Sequence, residues 1–314
     1  MVSDFVGKEE VLQMVRFLLV LFRETRPQFL LLTPACYVVG LGTASYVLGG
    51  FGRIHAGYAI LAFIGALFSH VAVNVLNDYF DFRSGLDLRT RQTPFSGGSG
   101  ILPQGLMSPK GVLAMGVVSL LIVTAIGLYN LMVRGWGLLP LGLLGFLTIV
   151  LYSPFITRTP PFCLLAPGLG FGPLMVMGTH FVLTGRYDWV AFSASLVPGF
   201  LVSNLLLINQ FPDVEPDRSV NRRHLPIVIG RQTSSYVYAL LALSAFGWVV
   251  AATVLGLFPT GALLALLPLP IAIVTIRAVI RNAENINALI PLLGNNVIYT
   301  LATPFLLGVG LLVL

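Results

Sequence analysis

Apolar residues in this chain gather in long unbroken blocks, with little alternation. Nine blocks stand out, at about 28–50, 55–80, 109–133, 136–153, 162–184, 188–211, 234–257, 260–281 and 289–313. A helix crossing a bilayer takes about 20 apolar residues, so the pattern predicts nine transmembrane helices. The fourth block is the shortest, and Arg134-Gly135 separates it from the third. Ahead of them, Val11 to Phe22 is a short apolar run that contains Arg16. Within a mixed-charge region 1–27, it predicts an interfacial amphipathic helix, neither a span nor a cleavable signal.

Composition turns this pattern into a class. Hydrophobic residues make up 56% of the 314 residues and charged residues 10%. Soluble domains carry roughly 25% charged residues, so the apolar surface faces lipid. The two cysteines, Cys36 and Cys163, offer neither metal spacing nor a disulfide framework and read as buried apolar side chains.

Charge gives the orientation. With the N-terminus inside, 15 of the 18 Lys and Arg fall on the cytoplasmic side, leaving only Arg53, Arg134 and Arg186 outside. Cytoplasmic loops collect basic residues. The net charge of +6 is thereby explained without nucleic acid. The expected architecture is an all-α polytopic membrane protein, one domain over 1–314. Its nine helices form one bundle with the N-terminus cytoplasmic and the C-terminus outside. Two cytoplasmic loops, 81–110 and 212–232, are much longer than the other connections.

Those loops start at carboxylates. The chain holds seven Asp and five Glu, yet "NVLNDYFDFRSGLD" (Asn74 to Asp87) alone holds three Asp. Carboxylates beside hydrocarbon are costly and rare. His70, Asn74, Asn77, Asp78 and Asp81 share one face at 3.6 residues per turn. Asn209, Asp213 and Asp217, spaced by four, repeat the logic at the end of the sixth helix, with Glu215 pointing elsewhere. Asp87 reads as solvated. Two facing carboxylate stripes repel unless a cation lies between them. Magnesium suits oxygen ligands of this kind, usually one or two carboxylates plus phosphate oxygens. Arg83, Arg89, Arg91, Arg218, Arg222 and Arg223 lie in the adjoining loops. Asp, Mg²⁺ and Arg together suit a diphosphate, bridged by two or more ions. Among these arginines, Arg218 is a candidate substrate contact beside Asn77 and Asn209. "FSGGSG" (Phe95 to Gly100) reads as a flexible turn, with an anion-binding role as the alternative.

A diphosphate at the cytoplasmic mouth of an apolar bundle fits a polyprenyl diphosphate. Metal binding withdraws charge, so the allylic C–O bond can ionise. The cation then needs dry, aromatic surroundings. Tyr79, Phe80, Phe82, Tyr152 and Phe211 are near, although packing explains each of them as well.

"NxxND…D" on the second helix with "DxxxD" on the sixth resembles the UbiA-type intramembrane aromatic prenyltransferases over nearly the whole chain. "PFSGGSGILPQGLMSP" (94–109), "FGPLMVMGTHFVLTG" (171–185) and "NQFPDVEPDRSVNRRHLPIVIG" (209–230) resemble the naphthoate branch, which serves menaquinone synthesis. The resemblance implies that Asn74, Asp78, Asp81, Asp213 and Asp217 hold Mg²⁺, and that Arg91 and Arg158 meet the diphosphate near Tyr152. It further implies transfer of the polyprenyl group to a small aromatic acceptor, 1,4-dihydroxy-2-naphthoate, with loss of CO₂, in a prokaryotic cell membrane with the active site on the cytoplasmic side. Gly100 and Gln104 depart from the Arg and Glu common in that branch, which leaves 4-hydroxybenzoate, homogentisate or a prenylglycerol phosphate as alternative acceptors.

Further residues have local readings. Pro216 predicts a kink or restart between Asp213 and Asp217. His70 and His180 read as hydrogen-bonded core residues, with an acceptor contact as the alternative. Ser108 and Pro109 predict the start of the third span. The glycines of "LGLLGFL" and of "PGLGFGPL" (Pro167 to Leu174) predict close helix contacts or kinks, the second set alternatively a widened channel. A rival class is an ion-coupled transporter, which also uses intramembrane Asp and broken helices. Both clusters at one face, away from the midplane, favour an enzyme. A CDP-alcohol phosphotransferase needs a longer acidic string in one segment, which is absent here.

Overall fold

A computed structural model describes residues 2–90 and 97–313, with side chains from residue 10 onward. No strand occurs among the described residues. Helix α1 (Val2–Glu24) leads through a short α2 (Pro27–Leu30) into α3 (Leu32–Leu48), α4 (Ala56–Ser84) and α5 (Pro109–Arg134). Then come α6 (Leu139–Leu151), α7 (Pro160–Leu169) and α8 (Met175–Thr184), the last two joined by a π-helical turn at Gly170–Leu174. Helix α9 (Trp189–Asn209), the short α10 (Val214–Ser219) and α11 (Leu225–Ile229), α12 (Arg231–Val254), α13 (Leu269–Arg281) and α14 (Ile286–Leu312) complete the chain.

Eight helical stretches among the described residues are long and apolar enough to cross a membrane: Pro27–Leu48, Ala56–Ser84, Pro109–Arg134, Pro160–Thr184, Trp189–Asn209, Arg231–Val254, Thr260–Arg281 and Ile286–Leu312. The block expected at 136–153 is shorter, an apolar helix at Trp136–Leu151. The 13 residues of α6 rise about 20 Å at 1.5 Å each, less than the roughly 30 Å hydrocarbon layer. Helix α1 is not among the eight. Residues 10–19 are all exposed, whereas Glu24 at its end is fully buried.

The expected start of α5 is present. Ser108 caps it, its Oγ accepting from the Gly111 N–H at 3.1 Å, and Pro109 takes the first helical position.

Glycine sets the tightest helix contacts. A Cβ on Gly168 of α7 would lie 2.2 Å from the Gly199 carbonyl oxygen and from Ser203 Oγ of α9. On Gly172 it would lie 2.5 Å from the Ser195 carbonyl oxygen. So Pro167 to Leu174 supplies both expected features, a close contact and a break, the latter as the π turn with Pro173 inside it and Pro167 in the helix just before. Gly142 and Gly145 of "LGLLGFL" differ from expectation. A Cβ on either would meet nothing within 4 Å, and both line the cavity described below. Gly168→Val is expected to lower thermal stability in detergent by about 1–3 kcal/mol through overpacking. Unchanged melting would show that α7 and α9 can move apart freely.

Side-chain networks hold the second half of the bundle. Tyr238 OH donates to Asn296 Oδ1 (2.9 Å), Asn204 Nδ2 donates to Tyr299 OH (2.6 Å), and the two tyrosine hydroxyls lie 2.8 Å apart. They tie α9, α12 and α14. The first half encloses a cavity.

Candidate active site

One cavity of about 450 Å³ runs through the first half of the bundle. Along α4 it is lined from Ala62 to Asp81, 19 residues or about 28 Å of helix rise. One end is polar: Arg26, Asn74, Asn77, Asp81, Asp87, Asn209, Asp213, Asp217, Arg222 and His224 line it. The walls beyond are mostly apolar, with Ser69, Asn130, Thr148 and Thr179 among them, and end near Leu131, Leu138 and Val182. Arg134 lies beside that far end. Its Nε and Nη2 donate to the carbonyls of Val182 and Leu183 at the end of α8, and its guanidinium lies 4.3 Å from the Tyr58 ring centre.

The first motif sits on the last turns of α4, as the spacing predicts. A left-handed Gly85 (φ 77°) ends the helix just beyond. Asn74 Nδ2 donates to the Thr25 carbonyl (3.0 Å), and Asn77 Nδ2 to Ser153 Oγ (3.0 Å). Asp78 is buried. Its Oδ1 lies 3.3 Å from Arg26 Nη1, which also reaches Asn77 Oδ1 at 3.3 Å. Its Oδ2 accepts from the Ser99 N–H (2.7 Å), while Ser99 Oγ donates to Glu24 Oε2 (2.7 Å). The described part of "FSGGSG" thus does meet an anion through a backbone N–H, and that anion is Asp78. Arg26 holds a left-handed backbone (φ 57°), an uncommon state for a residue with a Cβ and one found at functional sites.

The second motif departs from the single continuous helix expected. Helix α9 stops at Asn209, and Asp213 is the N-cap residue of α10. The helix breaks over residues 210–213 and restarts at Val214, between the two carboxylates, as Pro216 predicts. Pro216 falls in the first turn of α10, where its missing N–H leaves no bond unmade. Asn209, Asp213 and Asp217 nevertheless all line the cavity. The stripe on one helix is replaced by convergence from a helix end, a cap and a short helix.

Arg222 joins the motifs. Its Nη2 bonds Asp81 Oδ1, and its Nη1 lies 3.4 Å from Asp217 Oδ1. His224 Nε2 stands 3.0 Å from Asp217 Oδ2, near enough to pair but out of line for a hydrogen bond. The cation between the two stripes in this structure is a guanidinium.

Asp87, expected in solvent, is buried and faces the cavity. A Cβ on Gly98 would lie 3.2 Å from its Oδ1. Burial, then the charges of Asp81 and Asp78, push its carboxyl up to about 8 against the pull of Arg26 and Arg222. Burial and Asp78 likewise push Glu24 up to about 8, although the Ser99 hydrogen bond and Arg26 pull it down. The polar end is over-supplied with carboxylates. Asp81, Asp87, Asp213 and Asp217 line it with only two guanidiniums, those of Arg26 and Arg222, among the described residues. Asn209 Oδ1 is a buried oxygen without a hydrogen-bond partner among the described residues. Such a set, all hard oxygen donors, fits a divalent cation. Among the described residues no three His, Cys, Asp or Glu side chains converge tightly enough to hold an ion alone, so a site here needs oxygens from the bound substrate.

Tyr152 lines the cavity as expected. Two expected substrate contacts do not reach it. Arg158 is exposed at the end of a 3₁₀ turn. Arg218 points to solvent and pairs with Glu215 at 3.4 Å. Each lies on a short helical turn whose outer face is wet. Arg91 lies outside the described residues. Arg26, His224 and Glu24 were not selected from the sequence, and Arg222 stood only as one of six loop arginines suited to a diphosphate. No spacing marks any of them.

The UbiA prenyltransferase family model matches residues 35–296. A 1,4-dihydroxy-2-naphthoate octaprenyltransferase from Bacillus subtilis is 28% identical over 300 residues, covering 94% of this chain and 92% of that protein. A digeranylgeranylglyceryl phosphate synthase from Thermococcus kodakarensis is 29% identical over 226 residues, 70% of this chain and 72% of that one. A solved structure of a UbiA homolog from Archaeoglobus fulgidus bound to GPP and Mg²⁺ superposes with a TM-score of 0.65 at 16% identity, covering 92% of this chain and 99% of that one. Nothing in these matches supports a transporter. The chain belongs to the UbiA prenyltransferase family, whose members are membrane-embedded prenyltransferases.

Proposed function

We propose that this protein transfers a polyprenyl group from its diphosphate to 1,4-dihydroxy-2-naphthoate, with loss of CO₂, as a step toward menaquinone. One observation carries the reading. A single cavity joins a carboxylate and guanidinium mouth to a long apolar channel, which matches the two ends of a polyprenyl diphosphate. The name of the Bacillus relative supports the acceptor, and the bound GPP and Mg²⁺ of the Archaeoglobus homolog support the donor and the metal.

Asp81, Asp213 and Asp217, with Asp87 and Asn209 beside them, would hold magnesium; Asn74 stands at the edge of the set. When bound, the metal supplies positive charge against the leaving diphosphate. Asp78 lies behind these groups and orients Arg26 and the 97–102 loop. Arg26 and Arg222 are placed to bind diphosphate oxygens as charge-assisted donors. The apolar walls exclude water from the allylic cation. In this reading the short α6 completes nine membrane passages, the N-terminus is cytoplasmic, and the mouth opens to the cytoplasm. The basic residues in the loops beside the mouth support that orientation.

The test is purified protein in detergent with Mg²⁺, geranylgeranyl diphosphate and a panel of acceptors, the products identified by mass. Prenylated, decarboxylated naphthoate is expected. Product only from a prenylglycerol phosphate would replace the acceptor, and no product from any acceptor would overturn the reading.

The channel makes its own prediction. Gly127 and Gly178 line the apolar part with open space where a Cβ would stand. Gly178→Leu is expected to shift donor preference toward shorter prenyl diphosphates, with kcat/KM for the shortest donors retained. Equal loss for all donor lengths would show that the tail lies elsewhere.

A further inference from the structure

Two histidines in this bundle share one arrangement, and only one of them meets the cavity. His180 Nδ1 lies 3.0 Å from Thr43 Oγ1, and its Nε2 is buried without a partner among the described residues, away from the cavity lining. His70 Nδ1 lies 2.8 Å from Thr33 Oγ1. His70 lines the cavity, and its Nε2 has no hydrogen-bond partner among the described residues. The ring is 5% exposed and stands edge-on to Phe171, with centroids 4.6 Å apart at 77°. Phe171 belongs to the π turn, so the local break in the helix places an aromatic face there.

Position decides what this side chain meets. His70 lies four residues before Asn74, about 6 Å along α4. That is one turn below the polar mouth and above the apolar channel. Phe29, Phe171 and Met175 line the same cavity. A flat aromatic molecule fits such walls, and a polar edge on it needs one directed partner. A neutral imidazole bonded through Nδ1 keeps one nitrogen for that purpose.

We propose that His70 seats the aromatic acceptor. Nε2 hydrogen-bonds an oxygen substituent of the acceptor ring, Phe171 packs beside the ring, and Thr33 fixes the imidazole. The proposal rests on the prenyl-transfer reading and deepens it. The donor C1–O bond breaks with its electron pair going to the diphosphate. A ring π pair forms the new C–C bond at the carbon bearing the carboxylate. The bond to CO₂ then breaks, and its pair restores the aromatic ring. No proton leaves carbon, so the contact at Nε2 holds the acceptor in register and carries no proton in the transfer.

His70→Phe keeps a ring against Phe171 and removes the nitrogen. Steady-state kinetics are measured with geranylgeranyl diphosphate and 1,4-dihydroxy-2-naphthoate in turn. The acceptor KM is expected to rise about 10-fold, the scale of one lost hydrogen bond to a buried group, with the donor KM unchanged. Thr33→Val is expected to shift the acceptor KM in the same direction by less, and it serves if His70→Phe fails to fold. An unchanged acceptor KM, or an equal rise for both substrates, would overturn the seat while leaving prenyl transfer intact. Wild-type protein inactive with every aromatic acceptor would overturn both.

Discussion

Asp213→Ala is expected to reduce prenyl transfer by a factor of about 10²–10³. Losing one preorganised charge at a reacting centre typically costs about 3–4 kcal/mol. Asp213 faces the cavity from the N-cap position of α10, so its carboxylate is lost from the mouth itself. Asp78→Ala is expected to lose comparable activity and to melt lower. That carboxylate is buried between Arg26 and the Ser99 N–H, and its loss leaves the Ser99 N–H without an acceptor and Arg26 with only Asn77. Turnover measured beside thermal melts separates the two roles. A wild-type rate in Asp213→Ala would remove it from the metal and diphosphate site.

The bundle was legible because lipid simplifies the code. Every spanning helix must be apolar along its length, so the blocks at 55–80 and 188–211 fall within a few residues of α4 and α9. The first motif was legible for the same reason: a polar face on an otherwise apolar helix has one register, and α4 runs unbroken through it. The second motif keeps a helical period only in its second half. Asn209 ends α9, the chain breaks over 210–213, and in α10 the Asp217 N–H donates to the Asp213 carbonyl at 2.9 Å. Asp87 was misread for a related reason. Its burial depends on the turn after Gly85 and on the loop at Gly98 folding back over it. Neither leaves a periodic trace.

The arginines illustrate the opposite problem. The inside bias makes many cytoplasmic Arg equivalent in sequence, and only three-dimensional packing distinguishes Arg26 and Arg222 from Arg158 and Arg218. Arg26 is brought in by the elbow between α1 and α3, where its left-handed backbone turns the side chain onto Asn77 and Asp78.

Arg222→Ala is expected to lower both stability and turnover, more than any single carboxylate change. Its guanidinium contacts Asp81 and Asp217 at once, and all three side chains are less than one-fifth exposed. Removing one partner of a buried pair typically costs about 3–5 kcal/mol, because the remaining charge stays buried and unpaired. Here two carboxylates are left facing each other. The decisive measurement is the melting temperature as a function of Mg²⁺. If the mouth is a metal site, the divalent cation takes over the charge compensation, and Mg²⁺ raises the melting temperature of Arg222→Ala further than that of wild type. Turnover should stay low even at saturating Mg²⁺, because the arginine also contributes to holding the diphosphate. A variant that melts low and gains nothing from Mg²⁺ would mean that Asp81 and Asp217 serve Arg222 alone. The second motif would then be a structural clamp, and the metal would have to lie nearer Asp87 and Asp213.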